Sequence, residues 1–388
     1  MRVAIVTESF PPDINGVAHC TLQTADHLHR LGHEPVVIAP AGPPGGSPAA
    51  FGDEPPESQG ELDRSHPYPV VRIPSLPLPG YPQVRVALPS RRLAAAITSH
   101  GSDLVHLASP FVLGARGMTA ALRLRIPAVA VYQTDLGGYA RTYLGAGENA
   151  AWRRIRAVHT AADRTLAPST AAARDLEEHG VPRIRLWPRG VDTARFHPGR
   201  RDPELRRTLA PGGELIVGYI GRLAPEKNVE LLAPLCSLPG VRVVVAGDGP
   251  SEPALRAALP RARFLGRRTG DELARIFASL DVFAHTGPQE TFCQTVQEAQ
   301  ASGVAVIAPA AGGPLDLIDH GRTGLLVPPG DSTEVRDAVS LLAADARLRA
   351  SLGRTARAAV EGRTWGAVVD RLVDHYAEVL MARTAVAA

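Results

Sequence analysis

The chain predicts an α/β fold: two Rossmann-like, doubly wound parallel-sheet domains facing an interdomain cleft. Three observations carry that expectation. The opening Val3-Ala-Ile-Val-Thr7 is a continuous apolar run of strand length, and a turn, a helical stretch and a second apolar run follow it, the order of a parallel sheet with crossover helices. A second series of the same kind begins at Leu215. Between the two lies the Pro-, Gly- and Arg-rich stretch from Pro188 to Gly213, which reads as a domain boundary.

The elements follow in order. After the first strand, the turn Pro11-Pro-Asp-Ile-Asn-Gly16 leads into a helical stretch over 17–31, closed by Gly32, and then a strand over 35–39. Residues 41–69 are dense in Gly, Pro, Ser and acidic residues without periodicity, and read as a long surface loop. Further strands are expected at 70–73, 103–107, 128–132, 164–167 and 184–187, with helical stretches between most of them. The second series runs through 215–220, 241–246, 263–265, 281–284, 304–308 and 325–327. From Ser332 the chain reads as helical throughout, with Gly353 and Gly362 as breaks. The expected organisation is one domain over 1–190, a second over 191–365, and a helix over 366–388 returning to the N-terminal domain.

Composition bounds the function. The 388 residues exceed one core of typical size, and 45% apolar with 21% charged residues is a globular profile. A formal charge of +3 with no Arg/Lys stripe among aromatics gives no reason to expect a nucleic-acid partner. Cys20, Cys236 and Cys293 are scattered without metal-ligand or disulfide spacing, which suits a reducing cytoplasm. Met1-Arg2 leads straight into a strand, so no signal peptide is expected, and no apolar run reaches ~18 residues. Any membrane contact would be peripheral, on the cytoplasmic face. Arg85, Arg91, Arg92, Arg116, Arg123 and Arg125, set among Leu, Val and Ile in segments read as helical, could meet anionic lipid, although solvated arginines on core helices are the commoner case.

The groups able to do chemistry sit after strands. Glu290-Thr-Phe-Cys-Gln-Thr-Val-Gln-Glu298 places two carboxylates eight residues apart, which on one helix is about 12 Å along the axis. One could accept from a sugar, the other from the ribose of the same nucleotide-sugar, with the helix N-terminus facing a diphosphate. Arg222 and Lys227, in Gly221-Arg-Leu-Ala-Pro-Glu-Lys227, would end a strand and open a helix, and two such cations can neutralise a departing diphosphate. Asn15-Gly16 closes the first βα loop; a simple tight turn explains it as well as a phosphate contact. Gly247-Asp-Gly-Pro250 reads as structural, with Pro250 near a first helical position. His106, in a strand, reads as a core residue, while His285 directly follows a strand and faces its functional end. Neither belongs to a metal-ligand spacing, so no metal is expected, and no Gly-x-Ser-x-Gly turn marks a hydrolase.

Taken in order, the Arg222–Lys227 motif, the 247–250 turn and Glu290-x7-Glu298 resemble the retaining glycosyltransferases of the GT-B superfamily, from Met1 to about Tyr376. More narrowly, Thr7-Glu-Ser-Phe-Pro-Pro-Asp-Ile-Asn-Gly, Val131-Tyr-Gln-Thr-Asp, Ala167-Pro-Ser-Thr, Arg189-Gly-Val-Asp-Thr-Ala-Arg-Phe and the stretch from His285 to Thr295 look like actinobacterial GDP-mannose-dependent α-mannosyltransferases acting on glycolipids.

The resemblance implies that Arg222 and Lys227 grip the donor diphosphate, Glu290 binds the transferred sugar and Glu298 the ribose diol. Backbone at Phe292, Cys293 and Gln294 would cap the phosphates, Gly16 would approach the donor, and Arg267 would line the base pocket. Asn15, Gln133 and Asp135 fall on the acceptor side. Relatives often carry a histidine where Gln133 stands, and Gln133 cannot titrate. The implied reaction is a front-face transfer of a hexose, foremost mannose from GDP-mannose, to a glycolipid or small glycoside, without metal. The competing readings are a soluble transferase using a UDP-sugar and a small acceptor, a nucleotide-sugar 2-epimerase, and a non-catalytic nucleotide-sugar binding module.

Overall fold

The computed structural model describes residues 1–13, 15–42, 59–78, 81–134 and 148–387. It divides into two compact units, Met1–Pro188 with Trp365–Ala388, and Arg189–Thr364.

In the first unit the strands are β1 (Arg2–Val6), β2 (Glu34–Pro40), β3 (Val70–Ile73), β4 (Ser75–Leu78), β5 (Tyr81–Ala87), β6 (Leu104–Leu107), β7 (Ala128–Val131), β8 (Arg164–Ala167) and β9 (Ile184–Leu186). Among the described residues a parallel sheet has the order β3-β2-β1-β6-β7-β8-β9, and β4 and β5 form a separate antiparallel hairpin. β1 is interior: Ile5 is level with Val37 on one side and His106 on the other. Helices cover both faces, so Val3, Ala4, Ile5 and Val6 are all fully buried, which is why the strand reads as an unbroken apolar run. The switch in strand order between β1 and β6 opens the crevice at their carboxyl ends.

The second unit repeats the plan with β10 (Leu215–Ile220), β11 (Val241–Ala246), β12 (Arg263–Gly266), β13 (Val282–Ala284), β14 (Ala305–Pro309) and β15 (Leu325–Val327). Its parallel order is β12-β11-β10-β13-β14-β15, so the switch lies between β10 and β13. These strands fall where the apolar runs predict them, shifted by one residue at some ends.

The last helix, Trp365–Ala387, belongs to the first unit. Trp365, Val369, Leu372 and Tyr376 pack with Val3, Ile5, Leu28 and Trp187 in one core cluster. Tyr376 Oη lies 2.7 Å from His106 Nδ1, and Trp187 Nε1 donates to Val368 O at 2.9 Å. Burial lowers the His106 pKa to about 3, so the ring is a neutral core group, as the sequence reading has it.

Three expectations are corrected. The 41–69 stretch is not all loop: Gln59–Ser65 is a helix, invisible to periodicity because it buries no residue. Gly353 does not break the C-terminal helices; it lies inside the helix Ala346–Val360, and the breaks fall at Asp345 and at 361–364. A Cβ on Gly353 would stand 2.2 Å from Gly303 O, so the missing side chain permits a close helix–loop approach. Gly353→Ala is expected to destabilise the protein by about 1–3 kcal/mol, read as a lowered Tm in calorimetry.

Of the arginine group, Arg85 departs from the helical reading, and the others fall on or at the ends of two helices, Arg92–His100 and Val112–Leu124. Arg85 lies in β5, hydrogen-bonded to Ser75, and Arg116 donates to Ala87 O. Crossover helices run antiparallel to the strands, so Arg91 and Arg92, at the start of the helix Arg92–His100, lie at the carboxyl edge of the sheet. Arg123 and Arg125 end the helix Val112–Leu124 at the opposite edge, about 20 Å away along a helix of that length. Among the described residues no helix is long and apolar enough to cross a membrane.

Candidate active site

Three loops meet at the carboxyl ends of β10, β13 and β14. The first, after β10, contains Gly221 and Arg222, a 3-10 turn Pro225–Lys227, and Asn228 in the left-handed region. Lys227 therefore ends a turn rather than opening a helix, a correction that follows from Asn228 reversing the backbone at φ 48°. The turn after β11 fixes this loop: Leu223 N donates to Asp248 O at 2.7 Å and Ser251 N to Leu223 O at 2.9 Å. Gly247 has φ 146°, and a Cβ there would lie 1.9 Å from Gly221 O, so only glycine permits the approach. The 247–250 turn is structural, as read, but Pro253 rather than Pro250 stands in the first turn of the helix Glu252–Ala258.

The second loop, His285 to Cys293, packs on the first. Thr286 Oγ1 donates to Lys227 O at 2.6 Å, and a Cβ on Gly287 would stand 3.2 Å from Lys227 Cα. This packing brings Lys227 Nζ to 2.5 Å from Glu290 Oε1, with both side chains largely shielded from water. The third loop, after β14, holds Glu290 from behind: Gly313 N donates to Glu290 O at 2.7 Å.

Glu290 is not on the helix, and the spacing argument that put both carboxylates on one axis is corrected. The helix is Gln294–Ala301, and Cys293 at its start has φ 77°. That left-handed residue turns the chain, so Glu290 sits in the loop and Glu298 in the helix's second turn. Burial would raise the Glu290 pKa, but Lys227 and His285 outweigh it and hold the value at about 2. The group is a carboxylate that only accepts hydrogen bonds, the property a sugar hydroxyl requires. His285 is 3% exposed, with Nε2 3.3 Å from Glu290 Oε1 and 3.0 Å from Gly287 O. Burial would depress its pKa, yet Cys293 and Glu290 raise it to about 10. Its ring stacks on Tyr219, whose hydroxyl donates to Arg222 O at 3.0 Å.

Arg222 is more open, with its side chain 39% exposed and Nη2 3.7 Å from Glu226 Oε1. Arg267 Nη1 lies 3.9 Å from Asp248 Oδ2, beside the turn after β11. Phe292 and Cys293 are buried, leaving their backbone and that of Gln294 at the helix start. Gln294 Nε2 donates to Gly190 O at 3.0 Å and Gln297 Nε2 to Arg189 O at 3.1 Å, so the Arg189–Phe196 motif anchors the helix that carries Glu298. Burial raises the Glu298 pKa to about 8 against a hydrogen bond to Gln294. In the second unit the structure thus assembles Arg222, Lys227, Glu290, Phe292, Cys293, Gln294 and Glu298 around one sheet end, with Arg267 on the flank.

In the first unit, Asn15 caps the helix Gly16–Arg30: Oδ1 accepts from Val17 N and Ala18 N, both at 3.0 Å, and Nδ2 donates to Ser9 Oγ at 2.7 Å. Gly16 is exposed at the helix start. Gln133 is buried at the end of β7, with Nε2 donating to Ala108 O at 3.0 Å. Asp135 lies outside the described residues. Glu8, missed by the sequence reading, sits at the switch between β1 and β6: Oε1 accepts from Leu113 N at 2.5 Å and Gly114 N at 2.9 Å. Burial raises its pKa to about 7, and Oε2 is buried with no hydrogen-bond partner.

Raised carboxyl pKa values carry a sign. With a folded pKa of about 8 for Glu298, above the unfolded value near 4.5, the native state binds more protons between the two. Stability is therefore lost as pH rises through that window. Glu298→Gln is expected to gain Tm relative to the parent between about pH 5 and about pH 8, and a constant difference across that range would refute the assignment.

Known proteins resemble both units. The glycosyltransferase family 4 model matches residues 14–195, and the glycosyl transferases group 1 model matches residues 201–359. A GDP-mannose-dependent alpha-mannosyltransferase of Mycolicibacterium smegmatis is 47% identical over 99% of both chains. One of Corynebacterium glutamicum is 41% identical over 98% of this chain and 89% of its own. The crystal structure of Anabaena Alr3699/HepE in complex with UDP superposes with a TM-score of 0.77 at 22% identity, covering 97% of this chain and all of that one.

Proposed function

The chain belongs to the glycosyltransferases of the family 4 and group 1 type and is a hexosyltransferase, and from that premise we propose that it moves mannose from GDP-mannose to a glycolipid hydroxyl with retention of configuration and without a metal. The observation that carries the reading is the pairing of Lys227 with ionised Glu290, on two loops at one sheet end that also carry Arg222 and lead into the helix Gln294–Ala301. A diphosphate placed against the start of that helix would meet the first backbone N–H groups and the positive end of the helix dipole, with Lys227 and Arg222 on the neighbouring loop. Glu290 then accepts from hydroxyls of the hexose.

As the sugar–phosphate bond breaks, charge grows on the leaving oxygen, where Lys227 and Arg222 stabilise it. In a front-face displacement that oxygen takes the acceptor proton, so no protein nucleophile is required. The cations do the work a divalent ion would do in a metal-dependent transferase. Guanine and mannose rest on the likeness to the mycobacterial and corynebacterial enzymes.

The test is nucleotide release from GDP-mannose, GDP-glucose and UDP-glucose with and without a panel of glycolipids and small glycosides, followed by NMR of the product. Acceptor-dependent GDP release with an α-linked product is expected. Inversion of configuration, or release with a UDP-sugar alone, would replace this reading.

A lipid acceptor requires docking at a bilayer. The carboxyl edge of the first sheet supplies exposed Leu76 and Leu88 with Arg91 and Arg92, and Leu76, Arg85 and Arg92 line one shallow cavity there. Apolar tips flanked by arginines suit an anionic interface. Co-sedimentation with anionic vesicles at low salt is expected, weakened in Arg91→Glu/Arg92→Glu; no binding by the parent would count against a lipid acceptor.

A further inference from the structure

His285, Glu290 and Cys293 each offer one ligand atom, and the three atoms all lie within 4.8 Å of one another. They come from one nine-residue loop, so closing them on an ion orders little additional chain. Around a tetrahedral zinc ion a sulfur and a nitrogen ligand lie about 3.5 Å apart. The contraction required is within the reach of side-chain rotation.

Two further observations point to a ligand. Cys293 occupies a left-handed backbone position (φ 77°). A glycine would fill it without strain, whereas a side chain there costs roughly 1–2 kcal/mol. The sulfur is thus held at an energetic disadvantage, beside an imidazole and a carboxylate. His285 is 3% exposed, and its Nε2 faces two oxygens, Gly287 O at 3.0 Å and Glu290 Oε1 at 3.3 Å. Nδ1 is buried with no hydrogen-bond partner, and an ion taking it would displace the second proton that Cys293 and Glu290 favour on the ring. A histidine that donates one N–H to a carbonyl and can give its other nitrogen to an ion has the arrangement of a metal ligand.

We infer that His285, Glu290 and Cys293 form a binding site for one soft divalent cation of the zinc class, which opposes donor binding by taking the Glu290 carboxylate. The mixed nitrogen, oxygen and thiolate set selects such an ion over magnesium or calcium. The ion would compete with the Lys227 ammonium, now 2.5 Å from Glu290 Oε1. Binding of the cation stands on geometry alone; its exclusion of donor rests on the reading of Glu290 as the sugar ligand.

Cobalt(II) titration of the full chain, followed by thiolate-to-metal charge-transfer absorption, tests the site. One equivalent is expected to produce the band in the parent and in Cys236→Ser. Cys293→Gly, which relieves the left-handed strain and so offsets part of the cost of removing a buried thiol, is expected to abolish it. His285→Asn should weaken cobalt binding at least about tenfold. No band in the parent, or an undiminished band in Cys293→Gly, overturns the site whatever the donor proves to be. GDP-mannose is expected to bleach the band; a band unmoved by saturating donor overturns the exclusion alone.

Discussion

Lys227→Ala is expected to lower kcat by about 10²–10³-fold while the fold stays intact. The reason is the place of the charge. Lys227 Nζ stands beside Glu290, on the loop that also carries Arg222, where the proposed mechanism develops negative charge on the departing diphosphate. Its side chain is 15% exposed, so water screens it little and its interaction with the transition state is strong. Arg222, 39% exposed and held at 3.7 Å by Glu226, is better screened, and Arg222→Ala should cost less in kcat and more in KM. Lys227→Arg keeps the charge but brings a wider, planar group to a site shaped around an ammonium, and partial recovery is expected. Steady-state kinetics of GDP release separate kcat from KM for each variant. Turnover near the parent's in Lys227→Ala would remove this lysine from the mechanism.

Much of this arrangement is legible in the sequence because a strand buried on both faces writes itself as an apolar run. Val3 to Val6 and Ile216 to Ile220 are such runs, and each is an interior strand of its sheet. The β4–β5 hairpin escapes detection since Pro77 and Pro82 interrupt its pattern, and proline on a two-stranded edge is tolerated where a central strand would exclude it. The carboxylate pair was legible as chemistry but not as geometry. Reading 290–298 as one helix assumes right-handed backbone throughout, and a cysteine gives no hint that it adopts φ 77°. Glu8 carries no motif at all. Its chemistry comes from Leu113 and Gly114, more than a hundred residues away, whose amides the fold brings to its carboxylate. His285 stood in view as a residue following a strand, yet only packing shows that Glu290 and Cys293 surround it.

Glu290→Ala should abolish turnover to a similar degree as Lys227→Ala, and it should also destabilise the protein by about 1–3 kcal/mol. That figure lies below the range for a fully buried pair because both partners keep some exposure, 15% and 18% of their side chains. Removing the carboxylate leaves the Lys227 ammonium and the His285 ring without their anion in a poorly solvated pocket. Removing both partners relieves that penalty, so Lys227→Ala/Glu290→Ala should be less destabilised than the two single losses combined, by at least about 0.5 kcal/mol. The pH dependence separates this electrostatic origin from lost packing. With its folded pKa held at about 2, Glu290 contributes stability above the unfolded value near 4.5, and that contribution is lost as pH falls through the window between them. His285, raised to about 10, contributes below its unfolded value near 6.5 and loses its contribution as pH rises toward 10. The stability gap between the parent and Glu290→Ala should therefore be widest near pH 5–6 and narrow on both sides, in chemical denaturation at a series of pH values. A gap independent of pH, with single losses that simply add, would mean that Glu290 fills space rather than balancing charge.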